Sequence, residues 1–187
     1  MKRLIPALAI ILGWATAGWA ATPGTLTSLR AIHVLTNEEA RQAMPVAFEA
    51  MVTYYRGYAH FLIVQDGDIA IFVRATKIFS LVPGDRVLVR GVTRWGFRPD
   101  VLSSDITVLY HGAVPKPVPV TYEEMIRREH DNQLVTVHGV VRSADLVSHA
   151  NTQVLSAQLQ MHMDGGDIQI NMDSDNESAL FVRDQGK

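Results

Sequence analysis

Aromatic and arginine side chains recur together in two stretches of this 187-residue sequence, at positions 54–74 and 90–98. Aromatic rings stack on bases and on sugar faces, and the planar arginine fork pairs with carboxylates and phosphates. These residue types therefore indicate ligand binding. The predicted ligand-binding residues are Tyr55, Phe72, Arg74, Arg90, Arg94, Trp95, Phe97 and Arg98.

A structural interpretation of the same residues stays open. Any half-exposed strand alternates polar and apolar side chains, so the tyrosines and Phe72 could cover the ends of a core while the arginines form a solvated face. The segment Trp95-Gly96-Phe97-Arg98 favours binding most strongly. Two large rings beside a glycine in a polar loop have little use in a core.

Catalytic signatures are absent from the sequence. It contains no Gly-x-Ser-x-Gly elbow, no phosphate-binding glycine loop and no His-Glu-x-x-His motif. It also has no cysteine, which excludes a thiolate nucleophile, a disulfide and a thiolate metal site. None of the seven histidines lies four residues from another, as a helical metal site would require. We therefore expect a protein that is not an enzyme and has no catalytic residue, metal site or cofactor.

The first 20 residues have the three parts of a secretory signal. Lys2 and Arg3 precede an apolar run over positions 4–19, and small residues follow up to Ala20. We predict cleavage after Ala20 and export to the periplasm or the medium. The apolar run is slightly shorter than the roughly 20 residues of a membrane span, so an uncleaved anchor is the alternative. Such an anchor is the one contact with a membrane that we expect.

The charge of the chain bears on its partners. The formal net charge is −2 at pH 7. A general electrostatic grip on nucleic acid needs a clustered excess of lysine and arginine, which this chain lacks. Nucleic acid is therefore not expected as a partner. The predicted export also argues against it. An unidentified small molecule, glycan or protein is the expected ligand.

A pattern that occurs twice organises the elements that must position these residues. Thr36-x-x-Glu39 precedes an alternating apolar segment at 45–53, and Thr121-x-x-Glu124 precedes a similar segment at 134–142. Each threonine and glutamate can form a capping box that starts a short helix. Two copies of one unit predict two related modules. The alternating prolines in 111–120 block helix and central strand, which makes this segment the linker.

Period-two alternation predicts the strands of both modules. The first module has five, at 46–53, 60–65, 68–74, 86–92 and 105–110, with Asp66-Gly67 as a hairpin turn. A closed barrel is the economical way to remove their edges. The second module repeats only three, at 133–142, 152–162 and 166–172.

The resulting fold prediction is mainly β, with two small barrels, a short helix before each, and the second barrel incomplete. The predicted divisions are a signal peptide at 1–20, the first barrel with its helix at 21–110, the proline-rich linker at 111–120 and the partial second module at 121–187.

Several motifs in this order resemble a known family. They are Pro45-Val46, Phe61-Leu-Ile-Val-Gln-Asp66 followed by Ile69-Ala-Ile-Phe-Val73, and Pro83-Gly-Asp-Arg86. Over about residues 29–172 they resemble the tandem OB-fold-like extracytoplasmic regions of bacterial sensor histidine kinases and related signalling proteins. The resemblance implies two OB-like barrels and a periplasmic sensing or binding role without catalysis.

Three functions remain open at this point. The first is an exported, non-enzymatic binding or sensory module of a bacterial signalling protein, alone or as part of a larger sensor kinase. The second is a stand-alone periplasmic protein that binds an oligosaccharide or another anionic ligand. The third is an interaction module that docks onto a partner protein through the open edge of the second module. In OB-type barrels the second and third strands and their flanking loops form the usual ligand face, where many of the predicted residues lie.

Overall fold

The computed structural model describes residues 24–148 and 155–173, and strands make up slightly more than half of these residues. The predicted signal segment lies outside these residues. The helices are α1 (Leu29–His33), α2 (Asn37–Ala40) and α3 (Tyr122–Arg127), and a short 3-10 helix covers Gly57–Ala59. The described strands are β1 (Pro45–Arg56), β2 (Phe61–Asp66), β3 (Ile69–Ala75), β4 (Asp85–Arg94), β5 (Asp100–His111), β6 (Val118–Pro119), β7 (Val135–Thr136), β8 (Val140–Ser148), β9 (Leu155–Met163) and β10 (Gly166–Asp173). No helix in this part of the chain is long and apolar enough to span a bilayer.

The first five strands form a closed barrel in the order β1-β2-β3-β5-β4. The long strand β1 pairs with β4 through residues 45–51 and with β2 through residues 51–56, so it belongs to two neighbours in turn. The parallel pairing of β3 with β5 joins the remaining edges. The predicted mainly β fold with a five-stranded OB-like barrel is confirmed.

Alternation along the strands fills the barrel with apolar side chains. Phe48, Val52, Leu62 and Val73 point inward and are at most 2% exposed. Burying a side chain of this size contributes about 1.5–3 kcal/mol each. Helix α1, which was not predicted from the sequence, adds Leu29 and Ile32 to the same core.

Both predicted capping boxes are present. The amide of Thr36 donates to Glu39 Oε2 at 2.8 Å, and the Glu39 amide donates to Thr36 Oγ1 at 3.2 Å. Thr121 and Glu124 make the same contacts at 2.8 and 3.3 Å. The threonine amide and then the threonine hydroxyl donate to each carboxylate, and these hydrogen bonds lower the pKa of both glutamates below the ordinary value.

An extended segment before each capped helix repeats as well. Leu26 forms a parallel bridge to Val46 in the first copy, and β6 pairs in parallel with β7 in the second. The duplication therefore includes tertiary contacts as well as a sequence pattern.

The second copy departs from the prediction after β7. The single strand predicted at 133–142 is wrong, because 137–139 separate β7 from β8. In the barrel, the first half of β1 pairs with β4. The described part of the second copy has no strand that corresponds to β4, so residues 137–139 have no partner strand. From Val140 onward β8 pairs with β9, which pairs with β10, in a three-stranded antiparallel sheet.

One turn differs from the prediction by a residue. Asp66 pairs with Ile69, so the two-residue loop is Gly67-Asp68 rather than Asp66-Gly67. Gly67 has a φ of 60°, a left-handed conformation that suits glycine in such a loop.

Gly91 allows β4 and β5 to approach closely at an irregularity in their pairing. A β-carbon there would collide with the backbone carbonyl of Leu102. We expect Gly91→Ala to lower the free energy of unfolding by about 1–3 kcal/mol, measured by chemical denaturation. Gly112→Ala is the matched control, because its β-carbon would come no nearer than 3.6 Å to another residue. Equal stability of the two variants would contradict this packing.

Asp85 anchors the turn that leads into β4. Its carboxylate accepts the Val82 amide at 2.9 Å and lies 3.0 Å from His111 Nδ1, and these contacts, in that order, lower its pKa. Because the folded state holds the ionised form, the contribution is complete above the ordinary pKa of about 4 and is lost as the pH falls through the lowered value.

We therefore expect Asp85→Ala to lower the free energy of unfolding by about 1–3 kcal/mol at pH 7. The difference from the unmodified chain should shrink below about pH 4. Urea denaturation at several pH values measures it, and a difference that stays constant down to pH 2 would refute the assignment.

Candidate ligand-binding cleft

A row of three aromatic rings crosses the outer surface of the barrel. Tyr54, Phe61 and Phe72 come from β1, β2 and β3, at positions that alternate with the inward side chains. The ring centres of Tyr54 and Phe61 are 5.7 Å apart, edge to face, and those of Phe61 and Phe72 are 4.7 Å apart. We call these three residues the aromatic row.

Arginines flank the aromatic row at both ends. The Arg56 guanidinium lies 5.8 Å from the ring centre of Tyr54 and 5.7 Å from that of Tyr58. At the other end the Arg74 guanidinium lies 5.6 Å from the ring centre of Phe72. Such contacts hold a cation beside a ring, and Arg56 Nε also donates to the Tyr54 hydroxyl at 3.1 Å.

The aromatic row ends in a cleft of about 390 Å³. One wall is the barrel, and the other consists of the β4–β5 loop at 95–99 and the segment at 128–132 that follows α3. The cleft continues past His33 and Ala70 into a wider region of about 610 Å³ beside the proline-rich segment. The lining of the narrower part includes His33, Phe61, Phe72, Phe97, Arg98 and Arg128.

The β4–β5 loop is held from two sides. On the α2 side, Asn37 Nδ2 donates to the Gly96 carbonyl at 3.0 Å, and Arg41 stacks on Trp95 at 4.9 Å.

On the cleft side, Arg98 Nε donates to Asp131 Oδ2 at 2.7 Å, and the Arg128 guanidinium lies 4.3 Å from the ring centre of Phe97. Trp95 and Phe97 remain 55% and 74% exposed. The two rings therefore contact different neighbours, and of the two only Phe97 lines the cleft.

The ends of the same loop are joined by an ion pair. Arg94 donates to both carboxylate oxygens of Asp100 at 2.7 Å, and Asp100 is buried. Hydrogen bonding to this carboxylate raises the pKa of Arg94 above its ordinary value. Arg94 therefore stabilises the base of the loop, with its Nε and Nη2 engaged by Asp100.

The eight predicted residues fall into two groups. Phe72, Phe97 and Arg98 meet at the cleft, and Arg74 lies beside Phe72. The other four make contacts within the fold: the Tyr55 hydroxyl accepts the Phe79 amide at 2.8 Å, Arg90 pairs with Asp105, Arg94 pairs with Asp100 and Trp95 contacts Arg41. Their predicted part in binding stays a prediction.

Sequence reasoning missed several residues of the cleft. Phe61 carries a usable signal, because it alternates with the buried Leu62 and so must point outward. His33 and Arg128 carry none. Arg128 adopts a left-handed conformation, with φ of 60°, where α3 ends, and this backbone geometry has no pattern in the sequence.

A group of potential metal ligands lies next to the cleft. Atoms of Glu124, Glu129 and His130 lie within 4.8 Å of one another. Each already has a protein partner: Glu124 caps α3, Glu129 accepts from Arg127 at 2.7 Å, and His130 Nδ1 lies 2.9 Å from Gln133 Oε1. Protein contacts account for the placement of all three side chains.

Comparisons with known proteins find similarity only among solved structures. No protein-family model matches the chain, and no curated protein sequence matches it. The telomere capping protein Ten1 from Saccharomyces pombe is 15% identical over 46% of this chain and 79% of its own, with a TM-score of 0.36.

Two further structures match at similar levels. An aspartyl tRNA synthetase from Entamoeba histolytica is 12% identical over 69% of this chain and 34% of its own, with a TM-score of 0.36. A replication protein A heterotrimer bound to ssDNA is 12% identical over 81% of this chain and 42% of its own, with a TM-score of 0.35.

At this level of similarity the comparisons assign no function. The expectation that nucleic acid is not a partner stays a prediction. None of the three is a sensor kinase region, so that resemblance stays a prediction.

The Arg98–Asp131 ion pair links the barrel to the segment after α3. Because both side chains are partly exposed, we expect a coupling free energy of about 0.5–1 kcal/mol. A double-mutant cycle with Arg98→Ala, Asp131→Ala and the double variant, followed by chemical denaturation, measures it. The coupling should fall in 1 M salt, where charges are screened over about 3 Å. Additive effects of the two substitutions would show that this pair does not couple the two parts.

Proposed function

We propose that this chain is an exported, non-enzymatic binding module that senses or captures a ring-bearing ligand on the outer face of β2 and β3. The observation that carries the proposal is the aromatic row, Tyr54, Phe61 and Phe72, which leads into the cleft. The second and third strands, with the loops after the first and fourth, are the usual ligand face of barrels of this type.

The energetics of exposed rings support this assignment. A base stacked on one aromatic side chain contributes about 1–3 kcal/mol of binding free energy. Phe97 is 74% exposed at the mouth of the cleft, and a ligand ring laid on it would remove apolar surface from water. Arg74 lies beside the Phe72 ring, where it can pair with an anionic substituent of the ligand.

An oligosaccharide is the first candidate ligand. Sugar rings have flat apolar faces that stack on aromatic side chains, and a glycan suits both the predicted export and the nearly balanced charge of the chain. Single-stranded nucleic acid is the second candidate. The observation that favours it is the succession of three rings with an arginine at each end, an arrangement typical of single-strand binding surfaces.

Export is supported by the residue types at 1–20 and has its own test. After expression of the full chain in a Gram-negative bacterium, we expect a periplasmic protein that begins at Ala21. Ala20→Phe is the matched control, because a large residue at the cleavage site blocks processing. Mass spectrometry of the fractions distinguishes the outcomes, and a cytoplasmic protein that retains residues 1–20 would overturn the export proposal.

Ligand binding is tested with three probes: an oligogalacturonate hexamer, neutral maltohexaose and single-stranded dT12. We expect at least one of them to bind, and Phe72→Ala to weaken it by about 5- to 100-fold through the lost stacking contact. Isothermal titration calorimetry measures the affinities.

Tyr110→Ala is the matched control for the Phe72 variant. Tyr110 is an exposed ring on β5 that does not line the cleft. Binding that is lost equally in both variants, or binding by none of the three probes, would contradict the proposed surface.

A further inference from the structure

The carboxylates that line the cleft already have arginine partners. In the narrower part, Asp100 pairs with Arg94 at 2.7 Å and Asp131 pairs with Arg98 at 2.7 Å. In the wider part, Asp68 pairs with Arg30 at 3.0 Å and Glu129 pairs with Arg127 at 2.7 Å. These acidic groups therefore do not leave the cleft with uncompensated negative charge.

Arg128 differs from the other arginines of the cleft. It has no carboxylate partner within residues 24–148 and 155–173. One face of its guanidinium covers the Phe97 ring, 4.3 Å from the ring centre. A stacked guanidinium keeps its N–H donors in the plane of the fork, free to receive an anion.

The backbone of Arg128 is held in place. Its amide donates to the Met125 carbonyl at 3.0 Å, and its own carbonyl accepts from Arg98 Nη2 at 3.4 Å. Arg98 differs in that its guanidinium is already paired with a carboxylate, since its Nε donates to Asp131 and its Nη2 to this carbonyl.

We propose that Arg128 receives the anionic group, a carboxylate or a phosphate, of the ligand whose ring stacks on the aromatic row. This inference rests on the proposed function and specifies that the ligand carries a negative charge. The barrel supplies the stacking surface, and the segment after α3 supplies the cation. Lys116 lines the wider part of the cleft, where it adds positive charge for a larger anionic ligand. The site therefore selects acidic ligands over neutral ones of the same shape.

A pair of probe ligands measures the effect of the anionic group on affinity. Phenyl β-D-glucuronide and phenyl β-D-glucoside share both rings and differ in one carboxylate. We expect the full-length protein to prefer the glucuronide by about tenfold, the order of effect of a charge-assisted hydrogen bond. Arg128→Gln should abolish this preference while changing the glucoside affinity less than about twofold, since stacking does not depend on the charge. NMR titration at millimolar ligand measures both affinities.

Two further variants sharpen the comparison. Arg41→Gln is the matched control, because Arg41 also stacks on an aromatic ring, Trp95 at 4.9 Å, and does not line the cleft. It should keep the full preference. Arg128→Lys keeps the charge without the fork, and an intermediate preference is expected. Phenyl phosphate against phenol repeats the comparison for phosphate and shows which anion is bound more tightly.

The outcomes separate the two proposals. Glucoside binding that depends on Phe72, with no preference for the glucuronide or a preference that survives in Arg128→Gln, overturns the role of Arg128 and leaves the proposed surface intact. Binding of none of the phenyl probes and none of the three oligomers overturns both. Glucoside affinity retained in Arg128→Gln also shows that this variant is folded.

Discussion

The closure of the barrel by β1 is the constraint on which the rest of the structure depends. This strand pairs with β4 through its first half and with β2 through its second, so the five strands share one sheet without free edges. Closure forces alternate side chains inward, where Phe48 and Leu62 are buried, and the others outward. The aromatic row is the outward counterpart of that core. Tyr54, Phe61 and Phe72 meet because the pairing register places β1, β2 and β3 side by side.

A second set of contacts turns this surface into a cleft. The β4–β5 loop is fixed at its base by Arg94 and Asp100, and it reaches the segment after α3 through Arg98 and Phe97. The contacts of Arg98 and Phe97 lie at partly exposed positions, and each contributes little to stability, whereas Asp100 is buried beneath its pair with Arg94. Their main effect is on geometry, because they hold a second wall opposite the aromatic row.

Much of the fold could be predicted from the sequence, where the determining interactions are local. The capping boxes at Thr36 and Thr121 depend on residues three positions apart, and the β2–β3 hairpin depends on a glycine that tolerates positive φ. Both features have a direct sequence pattern. The prediction of one continuous strand at 133–142 is wrong. The alternation of apolar and polar side chains there is real, but a strand also needs neighbouring strands that hydrogen-bond to it. Alternation shows which way side chains point and says nothing about whether a partner strand is present.

In the candidate site, too, some features follow from local sequence patterns and others depend on the tertiary structure. The sequence by itself determined that aromatic and arginine side chains point outward from the second and third strands and from the β4–β5 loop, because strand alternation and loop composition are local properties. Only the tertiary structure decided which of them meet. Arg94 pairs with Asp100, whereas Phe72, Phe97 and Arg98 meet His33 and Arg128 at one cleft. The physical reason is that this cleft joins residues far apart in the chain, and their approach depends on barrel closure and on the left-handed backbone at Arg128.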